Sequence, residues 1–309
     1  MTKKAIMIVG PTAVGKTALS IEIAKLFHGE VISGDSMQVY RHLDIGTAKV
    51  TPTEKAGVPH FLIDIRDLNQ RFTVHDFQEL AKQKMNVIWQ RHHLPMIVGG
   101  TGFYLNALRL NLPLGGQNTP EEDFSRRQYW QNYAHNYGNQ ALWQQLNQRD
   151  PAAAVKIPIN NSRRVIRALE VIDKTGQLFS EQVASVPLDV DFFVIGLTTA
   201  RPLLYQRINQ RVDIMMQHGL LSEARYVYEH RQVAPQASRG IGYKEFFDYF
   251  ENKISLDEAV ALVKRNSRRY AKRQLTWFHN QMHDVQWFDL VQYPQTKLQL
   301  MQLLAEWDN

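Results

Sequence analysis

Cysteine is absent from this 309-residue chain. That excludes disulfide staples, thiolate nucleophiles and thiolate metal sites, and it fits a reducing compartment. Long hydrophobic runs are also lacking: no window approaches the roughly 18 apolar residues of a membrane span. The chain opens Met-Thr-Lys-Lys and then has one short apolar run, Ala5 to Val9. A secretory signal needs a longer run and a small-residue cleavage site. A cytoplasmic protein without membrane contact is therefore expected. The 11 histidines form no H-E-x-x-H motif, and the adjacent pair His92 and His93 would face apart on a helix. No G-x-S-x-G elbow occurs either, so metalloprotease and serine-hydrolase chemistry is excluded. Internal repeats and low-complexity tracts are missing too.

With 44% hydrophobic and 21% charged residues, the composition is that of a globular protein and not of a disordered chain. The length suffices for one large core or two modest ones. A net charge of +6 invites a polyanionic partner, and the placement of that charge matters more than its total.

The apolar run Ala5 to Val9 ends in a glycine, as a buried parallel strand does. A helix is predicted from Thr17 to Phe27, with further strands at Glu30 to Ser33, His60 to Asp64 and Leu94 to Val98. A helix over Val74 to Arg91 separates the last two. Strands alternating with helices predict an open α/β sheet. From about Asn111 to Pro187 the strand signal stops, and the segment reads as short helices, including Glu121 to Tyr137 and Arg163 to Asp173. It returns at Asp191 to Leu197. Helices at Pro202 to His218 and Leu256 to Phe278 and a strand at Val285 to Phe288 follow. The expected fold is a P-loop NTPase-like α/β protein with an open parallel sheet. Its core spans residues 1–110 and 188–309, interrupted by a helical insertion at 111–187.

Gly10-Pro11-Thr12-Ala13-Val14-Gly15-Lys16-Thr17 matches G-x-x-x-x-G-K-[ST] at every specified position, between a predicted strand and a predicted helix. Its glycines let backbone N–H groups converge on phosphate oxygens, and the following helix adds its positive end. Lys16 supplies a point charge, and the Thr17 hydroxyl is suited to Mg²⁺. The motif names neither the phosphorylated ligand nor the reaction.

Two acids stand near strand ends, where open α/β sheets bind ligands. Asp35, behind Gly34, either projects into the cleft as a base or caps a turn. Asp64 follows an apolar strand as a Walker-B acid would, and a surface acid is the preferred interpretation. Val98-Gly99-Gly100-Thr101-Gly102 forms a second glycine turn, in which Thr101 either donates to an anion or sits in a plain loop. Lys264, Arg265, Arg268, Arg269, Lys272 and Arg273 crowd one stretch without an acid, interleaved with or followed by Tyr270, Trp277, Phe278 and His279. Arg265, Arg269, Lys272 and Arg273 share a helix face, which serves phosphates or is simply solvated. Arg163, Arg164 and Arg167 form a smaller basic cluster.

Taken together, these segments resemble the bacterial tRNA dimethylallyltransferase (tRNA isopentenyltransferase) family. The resemblance rests on the P-loop octapeptide, on Ile32-Ser33-Gly34-Asp35-Ser36-Met37-Gln38-Val39-Tyr40, on Asp44-Ile45-Gly46-Thr47-Ala48-Lys49, on Gly57-Val58-Pro59-His60 and on Pro95 to Tyr104. It continues through Arg164-Val165-Ile166-Arg167-Ala168-Leu169-Glu170-Val171 and Gly240-Ile241-Gly242-Tyr243-Lys244-Glu245, closing with Tyr270-Ala271-Lys272-Arg273-Gln274-Leu275-Thr276-Trp277-Phe278. It implies transfer of a dimethylallyl group from dimethylallyl diphosphate to N6 of the adenosine immediately 3′ of the anticodon in tRNA.

By the same resemblance, Asp35 is the general base, Thr101 bonds the bridging oxygen of the leaving diphosphate, and Lys16 completes the catalytic set. Gly10, Pro11, Thr12, Ala13, Val14, Gly15, Lys16, Thr17 and Arg211 hold the diphosphate, with Mg²⁺ on Thr17. Asp35, Ser36, Met37, Gln38, Thr101, Asp123, Asn161, Ser162, Arg163, Arg164, Val165, Arg239, Gly240, Ile241, Gly242, Tyr243, Arg269, Lys272 and Arg273 touch the tRNA. The helical insertion grips the anticodon stem-loop, and a monomer is the expected state. Val14, Phe103, Ser267 and His279 depart from the family's usual residues, and His279 replaces a common Arg. The rivals are a P-loop kinase for a small metabolite or nucleoside, a transferase acting on free AMP or ADP, and a non-enzymatic RNA-binding module.

Overall fold

Successive residues of a strand face opposite sides of its sheet, and here both sides are covered. The computed structural model describes residues 2–114, 120–181 and 186–308, and in the second stretch side chains from residue 125 onward. In chain order the elements are β1 (Lys3–Val9), α1 (Lys16–Leu26), β2 (Gly29–Ser33), α2 (Pro52–Lys55), β3 (His60–Phe61), α3 (Val74–Gln90), β4 (Leu94–Gly99) and α4 (Gly102–Arg109). Next come α5 (Pro120–Arg149), α6 (Pro151–Lys156) and α7 (Ser162–Thr175). Last are β5 (Val190–Leu197), α8 (Arg201–Gln217), α9 (Leu220–Glu229), α10 (Phe247–Phe250), α11 (Leu256–Gln281), β6 (Gln286–Phe288) and α12 (Thr296–Asp308).

The strands form one parallel sheet in the order β3-β2-β4-β1-β5-β6. From β1, Ala5, Met7 and Val9 enter one apolar cluster with Phe77, Ala81, Met85 and Ile88 of α3 and Phe278 of α11. Ile6 and Ile8 enter the other, with Leu19 and Ile23 of α1, Leu204 and Ile208 of α8, and Leu300 and Leu304 of α12. The apolar run Ala5 to Val9 within β1 is what a sheet buried on both faces requires.

The sequence overextends the third strand. Only His60 and Phe61 pair with β2. Leu62 and Asp64 then take left-handed backbone conformations, and residues 64–66 hydrogen-bond to Gln38 and Val39 instead. Strand β3 lies at the sheet edge, so nothing on its outer side holds it in line. No helix among the described residues is long and apolar enough to cross a membrane.

The chain divides into two compact units: residues up to Asn111 together with those from Pro187 onward, and Leu112–Val186. The second unit is helical among its described residues. Its core packs Trp130, Leu142 and Leu146 of α5 with Ala153, Ile157 and the Val165, Ala168 and Leu169 stripe of α7. The predicted helix Glu121 to Tyr137 stops where Gly138 leaves helical geometry, and α5 resumes beyond it to Arg149.

Candidate functional site

Three neighbouring strands, β2, β4 and β1, end on the same edge of the sheet, the edge where open parallel sheets bind ligands. The segment after β1 is the P-loop. Gly10 (φ 143°) and Gly15 (φ 110°) occupy backbone conformations that residues with a Cβ rarely adopt. Gly15 also caps α1 without a side-chain hydrogen bond, so the positive end of that helix stays available to an anion. The Lys16 ammonium donates to the carbonyls of Gly10 (3.0 Å) and Pro11 (2.7 Å). Burial, and next the positive charge of Arg211, lowers its pKa to about 7 against a smaller upward pull from Asp35. Thr17, in the first turn of α1, is exposed.

Arg211 of α8 reaches this loop, its Nη1 donating to Thr12 Oγ1 at 3.4 Å. Burial, and then neighbouring Arg207, lowers the Arg211 pKa from its ordinary value. Arg207 donates to the Ala13 carbonyl at 2.9 Å. It escaped the sequence reading, although its i, i+4 spacing to Arg211 places both on one helix face. Ala13 and Val14 are buried, so their contribution to a ligand is backbone.

After β2, Asp35 is half-buried. Its Oδ1 accepts the Met37 N–H at 2.8 Å. Burial raises its pKa. The Met37 and Gln38 backbone N–H groups and the Lys16 charge pull the other way. Thus Asp35 both closes a turn and stands within the field of the P-loop lysine.

After β4, Thr101 caps α4 without bonding its backbone. Its Oγ1 instead accepts the Ser36 N–H at 3.2 Å and faces the Ser36 hydroxyl at 3.4 Å. Thr101 therefore lies against the Asp35 segment, while Asp35 and Lys16 interact across the P-loop. Gln38 ties that segment down further. It accepts from Ser33 Oγ at 2.8 Å and donates to the carbonyls of Thr47 and Ala48.

The basic face of α11 is sorted by the structure. Arg269, Lys272 and Arg273 are exposed and, with Trp277, line a cavity of about 520 Å³. Lys264 is paired with Asp213, and Arg268 with Asn209. His279 stacks on Trp287 at 4.3 Å.

The remaining expected contact residues differ in what they can offer a ligand. Tyr243 is buried, its hydroxyl donating to Glu223 at 2.7 Å, so its side chain is already committed. Buried Gly242 offers only backbone, whereas Arg239 is exposed and Ile241 half-buried beside Gly240. Asp64 pairs with Lys49 at 2.6 Å, in keeping with a surface acid.

Glu223, missed in the sequence, accepts three successive N–H groups from Asp44, Ile45 and Gly46 as well as the Tyr243 hydroxyl. Two residues of α11, Tyr270 and Gln274, also reach Thr101 or the P-loop, and no local signal reveals them.

In the second unit, Asn161 caps α7, its side chain accepting from the Arg164 N–H. Arg163 and Arg164 are exposed beside half-buried Ser162. Val165 is buried in that unit's core, so no side-chain contact with a ligand is open to it. The side chain of Asp123 lies outside the described residues.

Residues 38–281 match the family model described as IPP transferase. A tRNA dimethylallyltransferase of Latilactobacillus sakei is 56% identical over 97% of this chain and 96% of its own length. The full-length tRNA isopentenylpyrophosphate transferase of Bacillus halodurans superposes with a TM-score of 0.73 at 47% identity, covering 98% of this chain and 96% of that one. A eukaryotic dimethylallyltransferase acting on tRNA gives a TM-score of 0.79 at 30% identity, over 94% of this chain and 76% of the other.

Proposed function

This chain belongs to the IPP transferase family, and from that premise we propose how its own residues carry out the prenylation of tRNA. The protein is a prenyltransferase. It moves a dimethylallyl group from dimethylallyl diphosphate to N6 of the adenosine immediately 3′ of the anticodon. The observation that supports these roles most strongly is the meeting of three strand-end segments. Thr101 touches Ser36 at 3.2 Å, and Asp35 and Lys16 feel each other's charge.

In this assignment the P-loop N–H groups, Lys16 and Arg211 hold the diphosphate. The bond between C1 of the dimethylallyl group and the bridging oxygen breaks, and its electron pair leaves with that oxygen, to which the Thr101 hydroxyl donates. The N6 lone pair forms the new N–C bond, and the N6 proton passes to Asp35. Stabilising the departing charge is the largest task, because an allylic diphosphate ionises readily once its leaving group is neutralised. Positioning the weakly nucleophilic amine, and taking its proton, is the second. The adenine must first leave its stack.

The exposed Thr17 side chain, a hard oxygen donor beside the cradle, is the group that would hold Mg²⁺. When bound, that ion supplies further charge neutralisation for the leaving group. Arg269, Lys272 and Arg273 on α11, and separately Arg163 and Arg164 on α7, are the exposed cations assigned to the RNA backbone. The helical unit is assigned to the anticodon stem-loop, and the protein works as a cytoplasmic monomer.

The roles are tested by steady-state turnover of an anticodon stem-loop with dimethylallyl diphosphate and Mg²⁺. Asp35→Ala should lower kcat on the order of a hundredfold or more and leave stem-loop binding in place. Wild-type turnover in that variant would remove Asp35 from the role of base.

A further inference from the structure

Strands β1 and β4 are paired as far as Val9 and Gly99, and the two segments that carry the chemistry begin just beyond. A single buried side chain from a third element joins them. Gln274 of α11 is 6% exposed. Its Nε2 donates to the Gly100 carbonyl at 2.9 Å, and its Oε1 accepts the Thr12 N–H at 3.0 Å. One planar amide thus engages the P-loop with its acceptor and the Thr101 turn with its donor.

The surroundings fix that amide in place. A Cβ on Gly100 would lie 2.2 Å from Gln274 Nε2, and one on Gly102 would lie 2.1 Å from the Trp277 ring. Glycine on either side of Thr101 therefore lets α11 approach the turn. Tyr270, Gln274 and Trp277 share one face of the helix by their spacing, and the Tyr270 hydroxyl, its pKa raised first by burial, lies close enough to Thr101 and Gln274 to feel both.

We infer that Gln274 is a positioning residue, which holds the diphosphate cradle and the Thr101 hydroxyl at the separation the leaving group requires. The inference rests on the roles proposed above for the P-loop and Thr101. The bridging oxygen belongs to the same diphosphate that the cradle grips, so Thr101 meets it only if the two turns keep their spacing. A misplacement of about 1 Å is enough to cost on the order of a hundredfold in rate. Among side chains of this size, only one with both an acceptor and a donor satisfies both turns. An ionised carboxylate has no hydrogen to give Gly100, and a thioether makes neither bond.

The test uses the full chain with dimethylallyl diphosphate, Mg²⁺ and an anticodon stem-loop, at a temperature where every variant is folded. Gln274→Met should lower kcat by roughly thirty- to three-hundredfold while KM for the stem-loop stays within about twofold, because the RNA-facing side chains are untouched. Gln274→Glu supplies the decisive readout. Protonated, its carboxyl reproduces both bonds; ionised, it loses the donor. The ratio of Gln274→Glu to wild-type kcat should therefore climb towards one as pH falls, whereas the Gln274→Met ratio should stay flat. A wild-type kcat in Gln274→Met, a loss confined to the stem-loop KM, or a pH-independent Gln274→Glu ratio would each overturn the inference. Wild-type protein that makes no prenylated RNA in the same assay would refute the proposed function and this inference together. An active wild type beside an unimpaired Gln274→Met refutes the inference alone.

Discussion

Lys16 is under two conflicting demands. It must be charged to hold a diphosphate, yet burial beside Arg211 leaves its pKa at about 7 in the free protein. A bound diphosphate stabilises the ammonium and raises that value, so between the free and bound pKa values binding takes up a proton. Affinity for dimethylallyl diphosphate is then greatest below about pH 7 and declines as pH rises through it. Calorimetry at pH 8 in two buffers of different ionisation enthalpy should show net proton uptake, and Lys16→Met should abolish it. Uptake that survives the substitution would place the titrating group elsewhere. Asp35 works in the opposite sense: it must be ionised to act as base, and its pKa is raised. The kcat/KM profile should therefore rise through the Asp35 titration and fall through that of Lys16. The P-loop was legible because all its specified positions are contiguous. Gln274 and Arg207 were not, since each meets the loop from a helix about 200 residues or more along the chain. Periodicity gives a helix its faces without saying which partner each face meets.

The helix α11 illustrates how an element divides its labour. Its buried face carries Ala259, Val263, Ala271 and Phe278 into the core, Tyr270 and Gln274 face the site, and Arg269, Lys272 and Arg273 face solvent. Separate alanine substitutions at the last three should weaken stem-loop binding and reduce the salt dependence by about one unit of slope for each phosphate no longer neutralised. Binding of dimethylallyl diphosphate should be unchanged, and an unaltered salt slope would return these residues to the status of a solvated face. The start of the helix is fixed independently by a capping box between Ser255 and Glu258. Ser255→Ala should cost about 1 kcal/mol of stability, read by urea unfolding, with little effect on kcat. The body of α11 was plain in the sequence, whereas strand β3 was overread. His60 to Asp64 has strand-like composition, but the backbone of residues 64–66 finds its partners in Gln38 and Val39, a competition between segments that local composition does not reveal.

At the scale of the molecule, the chain forms two compact units, and the roles proposed above give each a different kind of ligand. The unit built on the parallel sheet carries the P-loop, Asp35 and Thr101; the helical unit has its own core around Trp130, whose indole donates to Asp173 at 2.7 Å. Trp130→Ala should destabilise the helical unit by about 3–5 kcal/mol. If that unit serves the RNA, the variant should lose stem-loop affinity while still binding dimethylallyl diphosphate in calorimetry. Equal loss of both ligands would argue against the division. The boundary was visible in the sequence as the point where strand signal stops. The continuation of α5 beyond Gly138 was not, because its Gln- and Asn-rich surface masks the few apolar residues, Leu142 and Leu146, that pack inward. The central claim is that the P-loop holds a leaving group, so that a hydrocarbon moves and the two phosphates depart as one. Intact-mass measurement of the stem-loop, paired with quantification of inorganic diphosphate, tests it most directly. One C5H8 gained by the RNA for each diphosphate released is the predicted result; a phosphoryl group passed from a nucleoside triphosphate to an acceptor, with no C5H8 on the RNA, would contradict it.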